Sequence, residues 1–300
     1  MAEIPMVFDR ALIAARQRRA MGLGPVTFLL DRVAEDLSDR LAAVARRFEL
    51  AVDLGTPSGA VQRALLDRNA VGRVIAARRD RLAGNADRSS AIVADEEMLP
   101  FRDEALDLVV SALALQFVND LPGTLVQVRH ALKPDGLFLG ALIGGGTLAE
   151  LRQAFALAEV ERDGGASPRV APFADIREMG ALLQRAGFAL PVADIERLTV
   201  RYDTPLGLMQ DLRRMGAANP LVERHRRPLK RATLRRLVEI YGERFADPDG
   251  RVRATFEIIW LSGWAPHASQ QQPLRPGTAR ARLSDALGTR EISAGEKAGR

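Results

Sequence analysis

Two hydrophobic patterns alternate along most of this chain. Leu29, Val33, Leu37, Leu41 and Val44 recur at helical spacing, with Arg, Asp and Glu on the remaining positions. They predict an amphipathic helix laid over a sheet. Short, nearly continuous apolar runs follow at residues 50–54, 72–77, 91–94, 106–111 and 137–143. Runs of that length and continuity suit parallel strands buried on both faces. Helical patterns separate them, first around Val61, Ala64 and Leu65 and later over 121–132, where Lys133-Pro134-Asp135-Gly136 reads as a stop signal and turn. The alternation predicts an α/β domain on a mostly parallel sheet. Leu148, Leu151, Phe155 and Leu157 then mark a further helix, with Thr147 as N-cap and Glu150 completing a capping box. Residues 174–187 give a covering helix, 190–202 a sixth strand, 205–216 and 229–246 two helices, and 255–264 a closing seventh strand.

This reading divides the chain into an N-terminal segment (1–24), a core (25–204), a helical insertion (205–250), the closing strand (251–266) and a tail (267–300). The tail is polar and rich in small residues, so disorder is expected there. The first segment carries Arg10, Arg16, Arg18 and Arg19 among apolar residues at helical spacing. It reads as a lid helix, with a targeting peptide or a phosphate-binding arm as alternatives.

Composition narrows the chemistry. With 300 residues and 47% hydrophobic content, one good core plus insertions is expected. No run approaches the roughly 20 apolar residues of a membrane span. The absence of Cys excludes a thiolate centre, and three scattered His (His130, His225, His267) argue against a resident metal. The net charge of +5 favours acidic partners. Nine basic residues of the insertion, from Arg213 to Arg236, could form a docking surface. Few aromatics interleave with them, which argues against nucleic acid.

Candidate chemistry gathers where the strands end. Residues 50–59 run from strand through a Gly-bearing turn to a helix, the arrangement that presents a ligand at the carboxyl end of a first parallel strand. Gly55 allows a sharp turn there, and Gly59 a close helix approach. Asp53, Asp95 and Ser111 are expected to converge on a crevice roomy enough for a nucleoside, and the Asp95-Glu96-Glu97 triplet to meet an adenine amino group. Two residues depart from that scheme. Pro57 stands where a second turn Gly is usual and removes an N–H. Arg78 stands where a carboxylate would accept the ribose hydroxyls, and an Arg has no acceptor to offer. Gln116, Asn119 and Asp120 follow strand four. Arg152 lies early in the helix after strand five, where it could meet an acidic group.

With these blocks in order, the chain resembles the class I S-adenosylmethionine (SAM)-dependent methyltransferases. The resemblance rests on Asp53-Leu54-Gly55, the Asp95…Leu99-Pro100-Phe101 loop, Asp107-Leu108-Val109-Val110-Ser111 and Leu132-Lys133-Pro134-Asp135-Gly136. It is more specifically similar to the respiratory complex I assembly-factor family related to biotin-pathway methyltransferases. That likeness is carried by Phe8-Asp9-Arg10-Ala11-Leu12, Phe117-Val118-Asn119-Asp120-Leu121-Pro122, Gly145-Gly146-Thr147-Leu148-Ala149-Glu150-Leu151-Arg152, Ser167-Pro168…Pro172-Phe173 and Gly263-Trp264…His267. The resemblance implies a Rossmann-like, seven-stranded fold with SAM as cofactor. It implies cofactor contacts from Asp53, Gly55, Thr56, Gly59, Asp95, Glu96 and Ser111, and substrate contacts from Gln116, Asn119 and Arg152. No catalytic residue or metal ligand carries over.

The activity so implied is hydroxylation of an arginine in a complex I subunit. A non-catalytic assembly factor with a degenerate SAM site is one alternative, and a carboxyl O-methyltransferase acting on a malonyl carrier is another. The chain shows no site for an oxidant or for electrons. Losing the bidentate ribose contact at Arg78 would cost on the order of 1.5–3 kcal/mol, about ten- to a hundredfold in affinity. The expected setting is the bacterial cytoplasm, with peripheral association at the inner membrane face, or else the mitochondrial matrix.

Overall fold

The computed structural model describes residues 5–67, 71–79, 91–271, 285 and 288–290. It separates into two units, Met1–Pro266 and His267–Arg300. In the second, Gln270 N donates to His267 O at 3.1 Å. Of the tail expected over 267–300, the part from residue 272 onward falls almost wholly outside the described residues.

In the first unit, Asp9 caps the opening helix by accepting Leu12 N at 3.0 Å, and α1 runs Arg10–Gly22. The amphipathic stripe forms α2 (Phe28–Ala42), which buries Leu29, Val33, Leu37 and Leu41. Strand and helix then alternate: β1 (Phe48–Leu54), α3 (Ala60–Asp67), β2 (Val71–Arg78), β3 (Ala91–Val93), β4 (Leu106–Ala112), α4 (Leu121–Ala131), β5 (Leu132–Ile143), α5 (Ala149–Asp163), α6 (Ile176–Arg185) and β6 (Ala189–Tyr202). The insertion supplies α7 (Pro205–Arg214) and α8 (Arg231–Phe245), and β7 (Val252–Trp264) closes the sheet.

Strand order is β3-β2-β1-β4-β5-β7-β6, with β7 antiparallel to both neighbours. This is the Rossmann-like class I fold. The runs of β1, β4 and β5 end up central because each must be covered on two faces. The 91–94 run departs from that expectation: it forms the edge strand β3, whose Ala91, Ile92 and Val93 are exposed. One core packs α2, α3, α5, α7 and α8 against one face of the sheet. The other packs α4 and α6 against the opposite face.

Two local expectations are corrected. Thr147 does not cap α5; Leu148 occupies that position in a left-handed conformation (φ 54°) with no side-chain cap. The Thr147 hydroxyl donates to Glu257 O and accepts Glu257 N, while Glu150 accepts the Thr255 N–H and hydroxyl. Partners on β7 therefore outcompete the local capping box. Lys133-Pro134-Asp135-Gly136 does end α4, but the turn is absorbed into β5 through a register shift opposite Leu106–Leu108, with Asp135 at φ 63°.

Candidate functional site

Asp53 is fully buried at the end of β1. One carboxylate oxygen lies 3.5 Å from Arg78 Nη2; the other, Oδ1, has no hydrogen-bond partner. Burial pushes its pKa up to about 6, against the pull of Arg78. Arg78, also buried, donates to Ser58 O at 2.7 Å. Gly55 takes a left-handed conformation (φ 74°), and a Cβ there would lie 3.0 Å from Ala114 Cβ and from Glu96 Cγ. The turn thus demands glycine on both conformational and steric grounds. At Gly59 a Cβ would meet only the mobile end of Arg63, so its role in close helix packing is not required by the geometry.

The acidic triplet is held from above. Arg10 reaches from α1 to Asp95 (2.7 Å), Glu96 and Glu97 (2.6 Å), with its side chain 10% exposed. Burial holds Glu96 above its ordinary pKa despite Arg10. Arg79 adds a 3.4 Å pair to Asp95. A strap ahead of α1 is fastened as well: Asn119 Oδ1 accepts the N–H groups of Val7 and Phe8, and Asn119 Nδ2 donates to Phe8 O. On its other side, Asp9 N donates to Pro220 O, and Arg224 pairs with Asp9 at 3.2 Å. Beneath α1 the crevice retains about 50 Å³, lined by Arg10, Gln17, Gly55, Pro57, Arg78 and Phe117 among others.

Phe117 borders other space as well. It lines a second cavity of about 600 Å³, walled by Leu148, Leu151, Phe155, Leu206 and Met209 and bordered by Arg169 and Arg213. A third, of about 530 Å³, shares Phe155, Arg169, Val170 and Phe173 with it and adds Arg152. The rings of Phe8, Phe117 and Phe173 stand edge to face at 5.8 and 6.3 Å.

A methyltransferase-domain family profile matches residues 52–140. "Arginine-hydroxylase NDUFAF5, mitochondrial" of Danio rerio is 37% identical over 288 residues, covering 93% of this chain and 89% of that protein. The chain belongs to the NDUFAF5 family. The family's wider kinship shows in a malonyl-[acyl-carrier protein] O-methyltransferase of Methylovorus, 34% identical over 93% of this chain and 97% of its own length. The fold alone is shared with a putative methyltransferase structure from Bacillus halodurans (TM-score 0.52, 19% identity, 77% of this chain and 99% of that one).

Against this NDUFAF5-family frame, the sequence's site residues separate into groups. Asp53, Gly55, Asp95 and Glu96 gather around the crevice. Thr56 and Ser111 are buried beside it, but Thr56 Oγ1 accepts Ala112 N and the Ser111 hydroxyl donates to Leu54 O. Asn119 has its amide committed to the strap. Gln116 donates to Leu113 O at 2.7 Å and keeps a buried Oε1 without a partner. Arg152 lies across the Phe117 wall, donating long bonds (3.3–3.4 Å) to Gly145 O and Thr147 O. The sequence placed Arg10 in a lid helix without naming its partners, and gave Phe117, Glu159 and Arg169 no part in a site. Arg10 meets its partners more than 80 residues away, so no local spacing could have disclosed the contact.

The fold implies SAM as cofactor, and the crevice suits it in only one respect. The unpartnered Asp53 Oδ1 suits an amino or hydroxyl donor. The volume does not: 50 Å³ admits roughly three to five waters, where ligand pockets run to about 300–1,000 Å³. Arg78, in the crevice wall, offers donors and no acceptor for a ribose hydroxyl. With α1 closed, these residues do not fit the cofactor. Among the described residues, no group of three or more His, Asp or Glu is placed to hold a metal ion.

Proposed function

We propose that this chain acts on an arginine side chain of a polypeptide, in the assembly of respiratory complex I. The observation that carries the reading is its near full-length likeness to relatives named arginine-hydroxylase. The geometry adds an open, largely apolar cavity one aromatic ring away from the crevice, large enough for a partner's side chain. The protein then works where complex I is built, at the cytoplasmic face of a bacterial inner membrane or in the mitochondrial matrix. Attachment there is peripheral; no helix among the described residues is long and apolar enough to cross a membrane. With α1 in place the crevice would not admit SAM; were the helix to lift, Asp53 would offer its unpartnered oxygen, and Arg78 would leave a ribose without a carboxylate partner.

A second reading, a binding factor without catalysis, is favoured by the crevice volume and by Pro57 and Arg78 in its wall. A third, methylation of a carrier-bound carboxyl, is favoured by Arg152 and Arg169 in the cavity walls and by the carrier-protein methyltransferase relatives. Mass spectrometry of complex I subunits from a deletion strain and its parent separates them. The proposed function expects one arginine to lose a modification on deletion and regain it on complementation. Identical arginine peptides in both strains, with complex I still poorly assembled, would establish the binding factor instead. Transfer of a methyl group to a malonyl carrier in vitro would establish the third.

A further inference from the structure

Glu159 on α5 is 2% exposed. Its carboxylate accepts Ser167 N at 2.7 Å, the Ser167 hydroxyl at 2.8 and 2.9 Å, and Arg169 Nε at 2.6 Å. A buried carboxylate with these donors is immobile, and it immobilises Arg169 in turn. The guanidinium carbon of Arg169 lies 6.0 Å from the centroid of the Phe155 ring, a second support. Among the described residues, neither Nη atom of Arg169 donates a hydrogen bond. The side chain is 16% exposed and lines both large cavities. A guanidinium held at Nε with both Nη atoms uncommitted is a preorganised fork for a carboxylate.

The surroundings agree in charge and in polarity. Arg152 and Arg169 line the cavity against the buried carboxylate of Glu159, and Asp163, close enough to act on Arg169, is offset by its own partner Lys230, so net positive charge remains. Phe155, Val170 and Phe173 give it apolar walls. At its edge and on the adjoining loop and helix, Arg213, Arg226, Arg227, Arg231 and Arg235 are exposed and form no ion pair among the described residues. Elsewhere on the insertion, by contrast, Lys230 and Arg236 are paired with Asp163 and Glu161.

We infer that this double cavity is an acidic-residue subsite. Arg169 receives the carboxylate of an Asp or Glu side chain near the target arginine, and the apolar walls take a neighbouring hydrophobic residue. The inference rests on the proposed polypeptide substrate. It adds a selectivity element: the partner segment is acidic as well as arginine-bearing.

Fluorescence anisotropy with short labelled peptides tests it. One peptide carries Leu, Glu and Arg; a second replaces Glu by Gln; a third replaces Arg by Gln. On the unaltered protein the Glu peptide should bind roughly tenfold tighter than its Gln counterpart, as for a charge-assisted pair. In R169Q the Glu and Gln peptides should bind alike, at the affinity the unaltered protein shows for the Gln peptide. A purely structural role for Arg169 would weaken both. R169K, which keeps the charge but loses the fork, should recover only part of the preference. Equal binding of the Glu and Gln peptides to the unaltered protein overturns the inference and leaves the arginine substrate standing. Failure of both arginine peptides to bind overturns the two together. Displacement of the Glu peptide by a free dicarboxylic half-ester at lower concentration, dependent on Arg169, would assign the carboxylate to an acyl chain and also overturn it.

Discussion

Asp53 sits at the end of β1 with one carboxylate oxygen near Arg78 and the other without a partner. Its pKa of about 6 exceeds the ordinary 3.8, so between those values the folded chain keeps a proton that the unfolded chain has released. Stability contributed by this proton is complete below the lower value and is lost as pH rises through the upper one. Two units correspond to roughly 3 kcal/mol at most. Urea unfolding at pH 4 and pH 7 should show the unaltered protein losing up to that amount relative to D53N. Parallel losses in the two proteins would show that Asp53 titrates normally. The departure at Arg78 was legible in the sequence, since β2 had to end near there. Its target was not: reaching Ser58 O depends on how the 55–59 turn folds back.

Helix α1 is the element with most leverage on the crevice. Arg10 pairs with three carboxylates of one loop, and removing it costs up to about 3–5 kcal/mol, reduced by the solvent that Asp95 and Glu97 still meet. R10A should therefore speed amide hydrogen exchange across α1, and calorimetry should detect SAM binding at least about fivefold tighter as the covering helix loosens. Unchanged exchange in α1 would show that the 7–9 strap alone keeps it down. That a helix forms here was readable from apolar residues at helical spacing. What it covers was not, because Ile13, Ala14 and Gln17 carry no mark of the crevice they line. Residues 147–150 teach the converse. Their capping-box pattern was present, but Thr255 and Glu257 of β7 lie over 100 residues downstream and claim both side chains.

Across the whole molecule, the alternation of buried runs and one-sided helices determines most of the sheet. Leu108, Val109 and Val110 are all fully buried because β4 has cores on both faces. The reversed direction of β7 is another matter: the pattern marked 255–264 as a closing strand, but an apolar run carries no sign of the direction in which it pairs. Leu37 of α2, with no exposed surface, anchors the larger core. L37A should lower the stability measured in urea by about 2–5 kcal/mol without altering the slope; a cost under about 1 kcal/mol would mean that α2 repacks readily. A single ring joins the two halves of the site. Phe117 is a party wall, lining both the small crevice and the large cavity. Any guest that pushes this ring aside alters the room left for a guest next door. Thermodynamic reciprocity then requires each occupant to change the other's affinity by an identical factor, so the two chambers answer to one another without any further moving part.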